Sequence, residues 1–309
     1  MAKDTTIKAA EITTTAERAL PRLVARPGWR IGKKARENIG KGIVIFILAM
    51  GAIVIMIPLY WQISTSLKSI PDILKYPPKW IPYPPLWKNY MDAVTQLRFL
   101  LYLKNTLLIT LLTLIGVVLS SSLVAYGFAR LRAPGLNLLF LLVLSTMMLP
   151  YQVTLIPTYI LFGKLGWVNT FKPLIVPAFF GGGAFNIFLL RQFFMTIPLE
   201  YDDAARIDGC DFFGIYWRIL LPLSAPALAT VAIFHIMWSW NDFMGPLIYL
   251  HSMDKWTLSL ALQQFNAMYA RKPNLLMASS LLMTIPLILM FFFAQRLFIQ
   301  GVVITGVKG

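Results

Sequence analysis

The amino-acid sequence predicts an all-α integral membrane protein with six transmembrane helices. Hydrophobic residues make up 58% of the 309 positions, and only 13% are charged. Ordinary soluble domains carry roughly a quarter charged residues, so this composition excludes that class. The apolar residues also gather into six runs that are each long enough, or nearly so, to cross a bilayer.

The six predicted spans differ in whether charged residues or prolines interrupt them. The first has no charged residue and ends near Tyr60 and Trp61, at a membrane interface. The third is interrupted by Pro150 and Pro157, which indicates either a kink near the outer interface or a substrate contact. The spans are predicted at residues 42–63, 105–129, 137–161, 173–190, 225–248 and 275–298.

The distribution of basic residues predicts the orientation. Residues 1–41 carry ten of the 28 Lys and Arg residues, which indicates an uncleaved cytoplasmic tail. With six spans both termini are then cytoplasmic, and cytoplasmic segments hold 17 basic residues against 11 outside. Topology thus explains the net charge of +15, and no nucleic-acid-binding motif accompanies it. The proline-rich exterior segment 64–104 has aromatic residues that either cover the membrane surface or meet a partner.

A polar interval between the fourth and fifth spans, residues 198–226, is the feature most indicative of function. Its acidic residues follow Pro198, at the start of a predicted helix, where the helix dipole favours negative charge. Gly209 is predicted to end this helix with a positive φ, and Asp211 to cap a second, aromatic helix that Pro222 stops. Glu200, Asp203 and Ile207 share one face of the first helix. We interpret the interval as a docking element at the membrane surface.

The same interval carries a family resemblance. The sequence Asp203-Ala204-Ala205, followed by Gly209 and Leu221-Pro222, resembles the EAA loop of binding-protein-dependent ABC importer permeases, with aspartate in place of the family's glutamate. The longer context resembles the carbohydrate-uptake, maltose-type subgroup. Further matches, from the sequence YGFARL at 126–131 to GVKG at 306–309, extend the resemblance over roughly residues 105–309.

The resemblance implies a type I ABC importer transmembrane domain over residues 42–309, with a cytoplasmic coupling loop at about 194–224. It implies a multi-pass subunit of the prokaryotic plasma (inner) membrane. Its partners would be a second related permease, two ATP-binding subunits and an extracytoplasmic solute-binding protein. The residues it assigns to ATPase docking are Glu200, Asp203, Ala204, Ala205, Ile207 and Gly209.

The chain itself has no motif for ATP hydrolysis. It lacks the phosphate-binding sequence G-x-x-x-x-G-K-[ST] and the metalloprotease sequence H-E-x-x-H, so we expect no enzyme activity and no cofactor in this chain. ATP and Mg²⁺ would bind to the partner ATPase. The expected solute is a carbohydrate, with a polyol or glycerol-phosphate-like solute as the alternative. An ion-coupled carrier, which would need carboxylates within its spans, and a membrane scaffold are the alternatives from other classes.

Several polar or helix-breaking residues within the spans are candidates for a substrate path or gate. His235 lies in the middle of the fifth span, where it could contact substrate or simply bond a neighbouring helix. Asn241 and Asp242 either take part in the path or shape the end of this helix. The candidates are Pro150, Gln152, His235, Asn241 and Asp242. The single cysteine, Cys210, cannot form an internal disulfide and is expected to be incidental.

Overall fold

The computed structural model describes residues 33–268 and 272–306, and the regular structure within these ranges is helical. The α-helices are α1 Lys33–Ser66, α2 Ile70–Ile73, α3 Lys88–Gln96, α4 Phe99–Arg130, α5 Leu136–Ser145, α6 Tyr151–Lys164, α7 Lys172–Ile175, α8 Ala184–Thr196, α9 Glu200–Ile207, α10 Phe212–Ile215, α11 Leu221–Leu223, α12 Ala225–Asn241, α13 Met244–Tyr249, α14 Leu258–Met268 and α15 Pro273–Gly306. Short 3₁₀ segments and one π-helical segment join some of them.

Among the residues that the structure describes, four stretches are long and apolar enough to cross a membrane by themselves: Gly40–Ser66, Phe99–Arg130, Lys172–Thr196 and Pro273–Phe293. Two helix pairs pass the same test together but are bent. The pair Leu136–Met148 and Tyr151–Lys164 bends by 98°, and the pair Phe212–Leu223 and Ala225–Asn241 bends by 77°. If each bent pair counts as one span, the total is the predicted six, and the all-α membrane fold class is confirmed.

The chain divides into two units, residues 1–58 and 59–309. Of the first unit the structure describes residues from Lys33 onwards, so most of the predicted basic tail lies outside the described residues. Helix α1 begins at Lys33, nine residues before the predicted start of the first span. Its apolar side chains between Ile43 and Ile57 are exposed, as expected of a helix whose surroundings are lipid.

Helix α4 is the central element of the second unit. It packs against α8 and α12, and its small residues allow close approach. Gly182, at φ +63°, lies so near α4 that an added Cβ would be 2.7 Å from the carbonyl oxygen of Val117. The core between these helices consists of Val117, Ala125, Tyr126, Ile187, Leu190, Phe194, Tyr216, Leu220, Ala227 and Val231. A second core joins the first turn of α4 to α12, α14 and α15.

The structure corrects several predicted span boundaries. Helix α4 starts at Phe99 rather than at 105, directly after Arg98, which has a φ of 49°. Asn105, within the helix, donates to the carbonyl oxygens of Asp254 and Trp256, both at 2.9 Å. Around Pro150 the third span turns by 98°, which is far more than a kink. The fourth span is interrupted by Gly181, Gly182 and Gly183, all at positive φ.

The fourth span also runs past its predicted end. Helix α8 continues to Thr196 because the charge of Arg191 is accommodated within the protein. The Nε of Arg191 donates to the carbonyl oxygen of Phe128 at 3.3 Å, and its guanidinium lies 4.2 Å from the ring centroid of Phe140. The fifth span is interrupted after Asn241, before the short helix α13.

The segment between α1 and α4, which the sequence predicts to be exterior, folds on itself. The amide of Asn89, in α3, donates to the carbonyl oxygens of Ser66 and Lys68 at 2.8 and 3.0 Å. Trp80 packs edge-on against Trp61, with ring centroids 5.3 Å apart. At least one aromatic side chain of this segment, Trp80, therefore packs within the protein.

Candidate functional site

The segment from the last turn of α8 to the start of α12 (residues 194–224), which we call the docking segment, has in its first part the local geometry that the sequence predicts. Helix α9 is followed by Gly209 at φ +83°, a left-handed conformation that favours glycine. The Oδ1 of Asp211 accepts a hydrogen bond from the Gly214 amide at 2.7 Å and so caps α10. The predictions for Gly209 and Asp211 are confirmed.

One face of α9 is free of contacts with the core. The side chains of Glu200, Asp203 and Ala204 are exposed, and Ile207 is 88% exposed. Arg206 lies 3.4 Å from Asp203, in an ion pair whose side chains are themselves largely exposed. An apolar side chain thus lies beside two carboxylates on a solvated surface, and Gly209 continues it. We call these residues, Glu200, Asp203, Ala204, Ile207 and Gly209, the acidic face.

Ala205 does not belong to this face, although it was predicted to dock the ATPase. It is 4% exposed and points into the protein. Its neighbour Ala204 lies about 100° away around the helix and is exposed. The position of Ala205 is therefore better explained by packing, because a larger side chain would lift α9 from the core.

Asp202 is a functional candidate that the sequence reasoning missed. The sequence indicates only an acidic residue in the first turn of a helix, but the carboxylate of Asp202 is buried and pairs with Arg130 at the end of α4. The Nε of Arg130 lies 3.2 Å from Oδ2 of Asp202, and the two side chains are 2% and 3% exposed. The Nη2 of Arg130 donates to the carbonyl oxygen of Ile197 at 2.9 Å. Arg130 thus binds both α9 and the turn that precedes it.

Two further residues of α4 hold the docking segment. The hydroxyl of Tyr126 donates to the carbonyl oxygen of Phe212 at 3.1 Å. The hydroxyls of Ser122 and Tyr216 lie 2.8 Å apart. Ser122, Tyr126 and Arg130 are spaced by four residues and therefore form one stripe along α4. That spacing is visible in the sequence, but their partners, 67 to 94 residues away, are not.

The second part of the docking segment differs from the prediction. The α-helix that begins at Phe212 continues as a π-helix over Tyr216–Leu220 and as α11 over Leu221–Leu223. Pro222 does not stop the helix, because it occupies the first turn of α11, where its missing amide costs no hydrogen bond. The chain turns after Leu223, and α12 follows.

The second unit also contains a cavity of about 660 Å³. His235 and Asp242 line it, together with four residues of α4, namely Thr106, Ile109, Thr113 and Val117. Aromatic side chains from α6, α8 and α12 contribute to the wall, as do hydroxyl and amide groups such as those of Thr158 and Asn186. Such a mixture of aromatic and neutral polar groups suits a small polar ligand.

The structure divides the five predicted path residues. His235 is buried, and its Nε2 lies 2.9 Å from the hydroxyl of Thr113, so it both bonds a neighbouring helix and lines the cavity. Asp242 lines the cavity and accepts a hydrogen bond from the Gly245 amide at 3.2 Å. Pro150, Gln152 and Asn241 are exposed and do not line it, and the amide of Asn241 donates to Met237 of its own helix at 2.8 Å. Within residues 33–268 and 272–306, no group of three or more His, Cys, Asp or Glu side chains could hold a metal.

The fold and the site define a class of protein: a multi-pass helical membrane protein with a cavity between its helices. A family model described as "Binding-protein-dependent transport system inner membrane component" matches residues 116–304. The chain belongs to this family. It is therefore the membrane component of a transport system that depends on a binding protein, and the alternatives of an ion-coupled carrier and a scaffold are wrong.

Individual relatives agree with this membership. The chain is 39% identical over 205 residues to the arabinooligosaccharides transport system permease protein AraQ of Halalkalibacterium halodurans, which covers 66% of this chain and 73% of the relative. It is 34% identical over 224 residues to the polygalacturonan/rhamnogalacturonan transport system permease protein YtcP of Bacillus subtilis, which covers 67% and 77% of the two chains.

Among solved structures, the fold resembles a chain of a bacterial ABC transporter involved in the import of the acidic polysaccharide alginate. The TM-score is 0.74, with 21% identity over 84% of this chain and 97% of the other.

Proposed function

We propose that this chain is the permease subunit of an ATP-driven carbohydrate importer and forms half of its translocation path. The other half would come from a second related permease. Two ATP-binding subunits would supply ATP and Mg²⁺, and an extracytoplasmic binding protein would deliver the solute. The carbohydrate class rests on the names of the relatives, arabinooligosaccharides and polygalacturonan/rhamnogalacturonan among them.

The observation that carries this proposal is the acidic face of α9. Three of its side chains, Glu200, Asp203 and Ile207, project from a short helix that is itself fixed to the core through Asp202. A groove on a soluble subunit with basic rims and an apolar floor would complement this surface. A docking site of this kind is what a permease without its own phosphate-binding loop requires.

The cavity supports the transport role. Its volume of about 660 Å³ lies within the range of roughly 300–1,000 Å³ for small-molecule sites. Its neutral hydroxyl and amide groups suit sugar hydroxyls better than they suit a phosphate, because no Lys or Arg is among the lining residues. This favours a carbohydrate over a glycerol-phosphate-like solute.

The proposed orientation places the docking segment and both termini in the cytoplasm. The location would be the prokaryotic plasma (inner) membrane. The basic residues of the tail, and Arg130 and Arg132 at the turn that follows α4, support this orientation.

Reconstitution tests the proposal. The chain would be coexpressed with its partner permease, ATPase and binding-protein subunits, purified and placed in liposomes. We expect ATP-dependent uptake of labelled arabinooligosaccharides or galacturonate oligosaccharides that requires the binding protein. A polyol and glycerol 3-phosphate serve as the other arms. Uptake of only these last two would refute the carbohydrate class, and uptake driven by a proton gradient without ATP would refute the importer.

A further inference from the structure

We propose that Arg130 and Asp202 are a positioning pair that makes the docking segment and helix α4 move as one body, so that transport stays coupled to ATP hydrolysis. This inference rests on the proposed function, because it assigns a role within the transport cycle. Neither residue contacts solute or partner in this view. Each acts through the element that it holds.

The first support is the geometry of the pair. Arg130 makes two contacts in different directions, one with the Asp202 carboxylate at 3.2 Å and one with the Ile197 carbonyl at 2.9 Å. The contact with Asp202 is an ion pair without hydrogen-bond alignment, and the contact with Ile197 is a hydrogen bond, so one guanidinium on α4 holds both partners. Helix α9 and the end of α8 are thereby fastened to the same residue of α4.

The second support is the burial of the pair. The side chains of Arg130 and Asp202 are 2% and 3% exposed, whereas those of the neighbouring pair Arg206 and Asp203 are 50% and 68% exposed. Water screens an exposed ion pair, so its two side chains separate and re-form contacts at little cost. A buried ion pair cannot separate without leaving an uncompensated charge inside the protein. Of these two ion pairs, the buried one can therefore transmit a displacement of α9 to α4, whereas the exposed one would separate.

The third support is what lies further along α4. The same helix that holds the docking segment through Ser122, Tyr126 and Arg130 lines the cavity through Thr106, Ile109, Thr113 and Val117. It is continuous over 32 residues, or about 48 Å. A displacement that reaches Arg130 is thus carried to the cavity wall by one unbroken element, in which Thr113 also bonds His235.

The competing explanation is that the pair only keeps the docking segment folded. In that case its loss abolishes ATPase binding, and every activity falls together. Under the positioning role the acidic face survives, the ATPase still binds and hydrolyses ATP, and only solute movement per ATP is lost. The ratio of uptake to hydrolysis distinguishes the two explanations.

The experiment uses the reconstituted complex with Asp202→Asn, Arg130→Lys and the apolar double variant Arg130→Met with Asp202→Leu. The double variant removes both charges and so avoids a lone buried charge if a single variant fails to fold. Arg132→Gln, an exposed arginine two residues beyond Arg130, is the matched control. Copurification of the ATPase, ATP hydrolysis and sugar uptake are measured for each.

We expect the parent and Arg132→Gln to agree. We expect the pair variants that assemble to hydrolyse ATP within about twofold of the parent while uptake per ATP falls at least about tenfold. Arg130→Lys should fall between, since lysine cannot make both contacts. Parental uptake per ATP in the double variant overturns the positioning role, as does loss of ATPase binding in that variant. Failure of the parent complex to take up sugar instead refutes the proposed function.

Discussion

Charge reversal at Asp203 separates a docking surface from a helix cap. Asp203 lies on the acidic face with a 68% exposed side chain, and its one ion pair, with Arg206, is exposed as well. Replacing it with lysine removes a surface ion pair worth about 0–1 kcal/mol and a favourable interaction with the helix dipole worth about 0.3–1 kcal/mol. The new lysine also repels Arg206 by a few tenths of a kcal/mol. The fold should therefore lose only about 1–2 kcal/mol.

The cost at an interface is larger. Like charges brought together in a docked complex cost several kcal/mol, and about 3 kcal/mol already weakens binding roughly 150-fold. We therefore expect Asp203→Lys to insert and to unfold within a few degrees of the parent, yet to lose ATPase copurification and sugar-stimulated ATP hydrolysis. The matched control is Asp254→Lys, the same charge change at an exposed residue in the turn Met253–Lys255. If Asp203→Lys assembles and hydrolyses ATP like this control, Asp203 is a cap and the docking face lies elsewhere.

Three further predictions follow from positions at which the geometry is well defined. Gly209→Val should impair uptake without preventing membrane insertion, since a β-branched residue at φ +83° is strained by about 1–2 kcal/mol, whereas Gly209→Asn should stay near the parent. Equal uptake by both variants would show that transport does not depend on the left-handed conformation of Gly209. Gly182→Ala should lower the unfolding temperature in detergent, because its Cβ would lie 2.7 Å from the Val117 carbonyl oxygen, and an unchanged temperature would contradict the close packing. In a variant without the native cysteine, Tyr76→Cys should react with a membrane-impermeant maleimide from outside the cell, and Ile207→Cys only after permeabilisation. Both positions are highly exposed, so accessibility within the protein does not limit the reaction. The reverse labelling pattern would show that the proposed orientation is inverted.

Much of the fold could be predicted because its signals are local. An apolar run indicates a span regardless of what surrounds it, and the conformations of Gly209 and Asp211 depend on neighbours within a few residues. The angle at Pro150 could not be predicted in the same way. Proline removes one hydrogen bond and permits a break, but it does not by itself set the angle of 98° between the two helices.

The candidate site shows the same division. The acidic face was readable from residues three and seven positions apart, because helical periodicity places them together. The cavity was only partly readable, since His235 and Asp242 line it and Pro150, Gln152 and Asn241 do not. An isolated polar or helix-breaking residue in a span indicates that a hydrogen-bonding group needs a partner there, but it does not indicate which neighbouring residue is that partner.

Asp202 and Asp203 show why neighbouring carboxylates in one helix have different roles. They are separated by about 100° around α9, so one faces the core and the other faces solvent. Helix α9 has eight residues and is too short to be stable by itself. Contacts on its inner face must therefore hold it in place when a partner pushes on its outer face. Apolar contacts alone would let the helix slide, because they are not directional. In the positioning role proposed above, the contacts of Arg130 with Asp202 and Ile197 supply that resistance, so the acidic face would depend on the buried ion pair behind it.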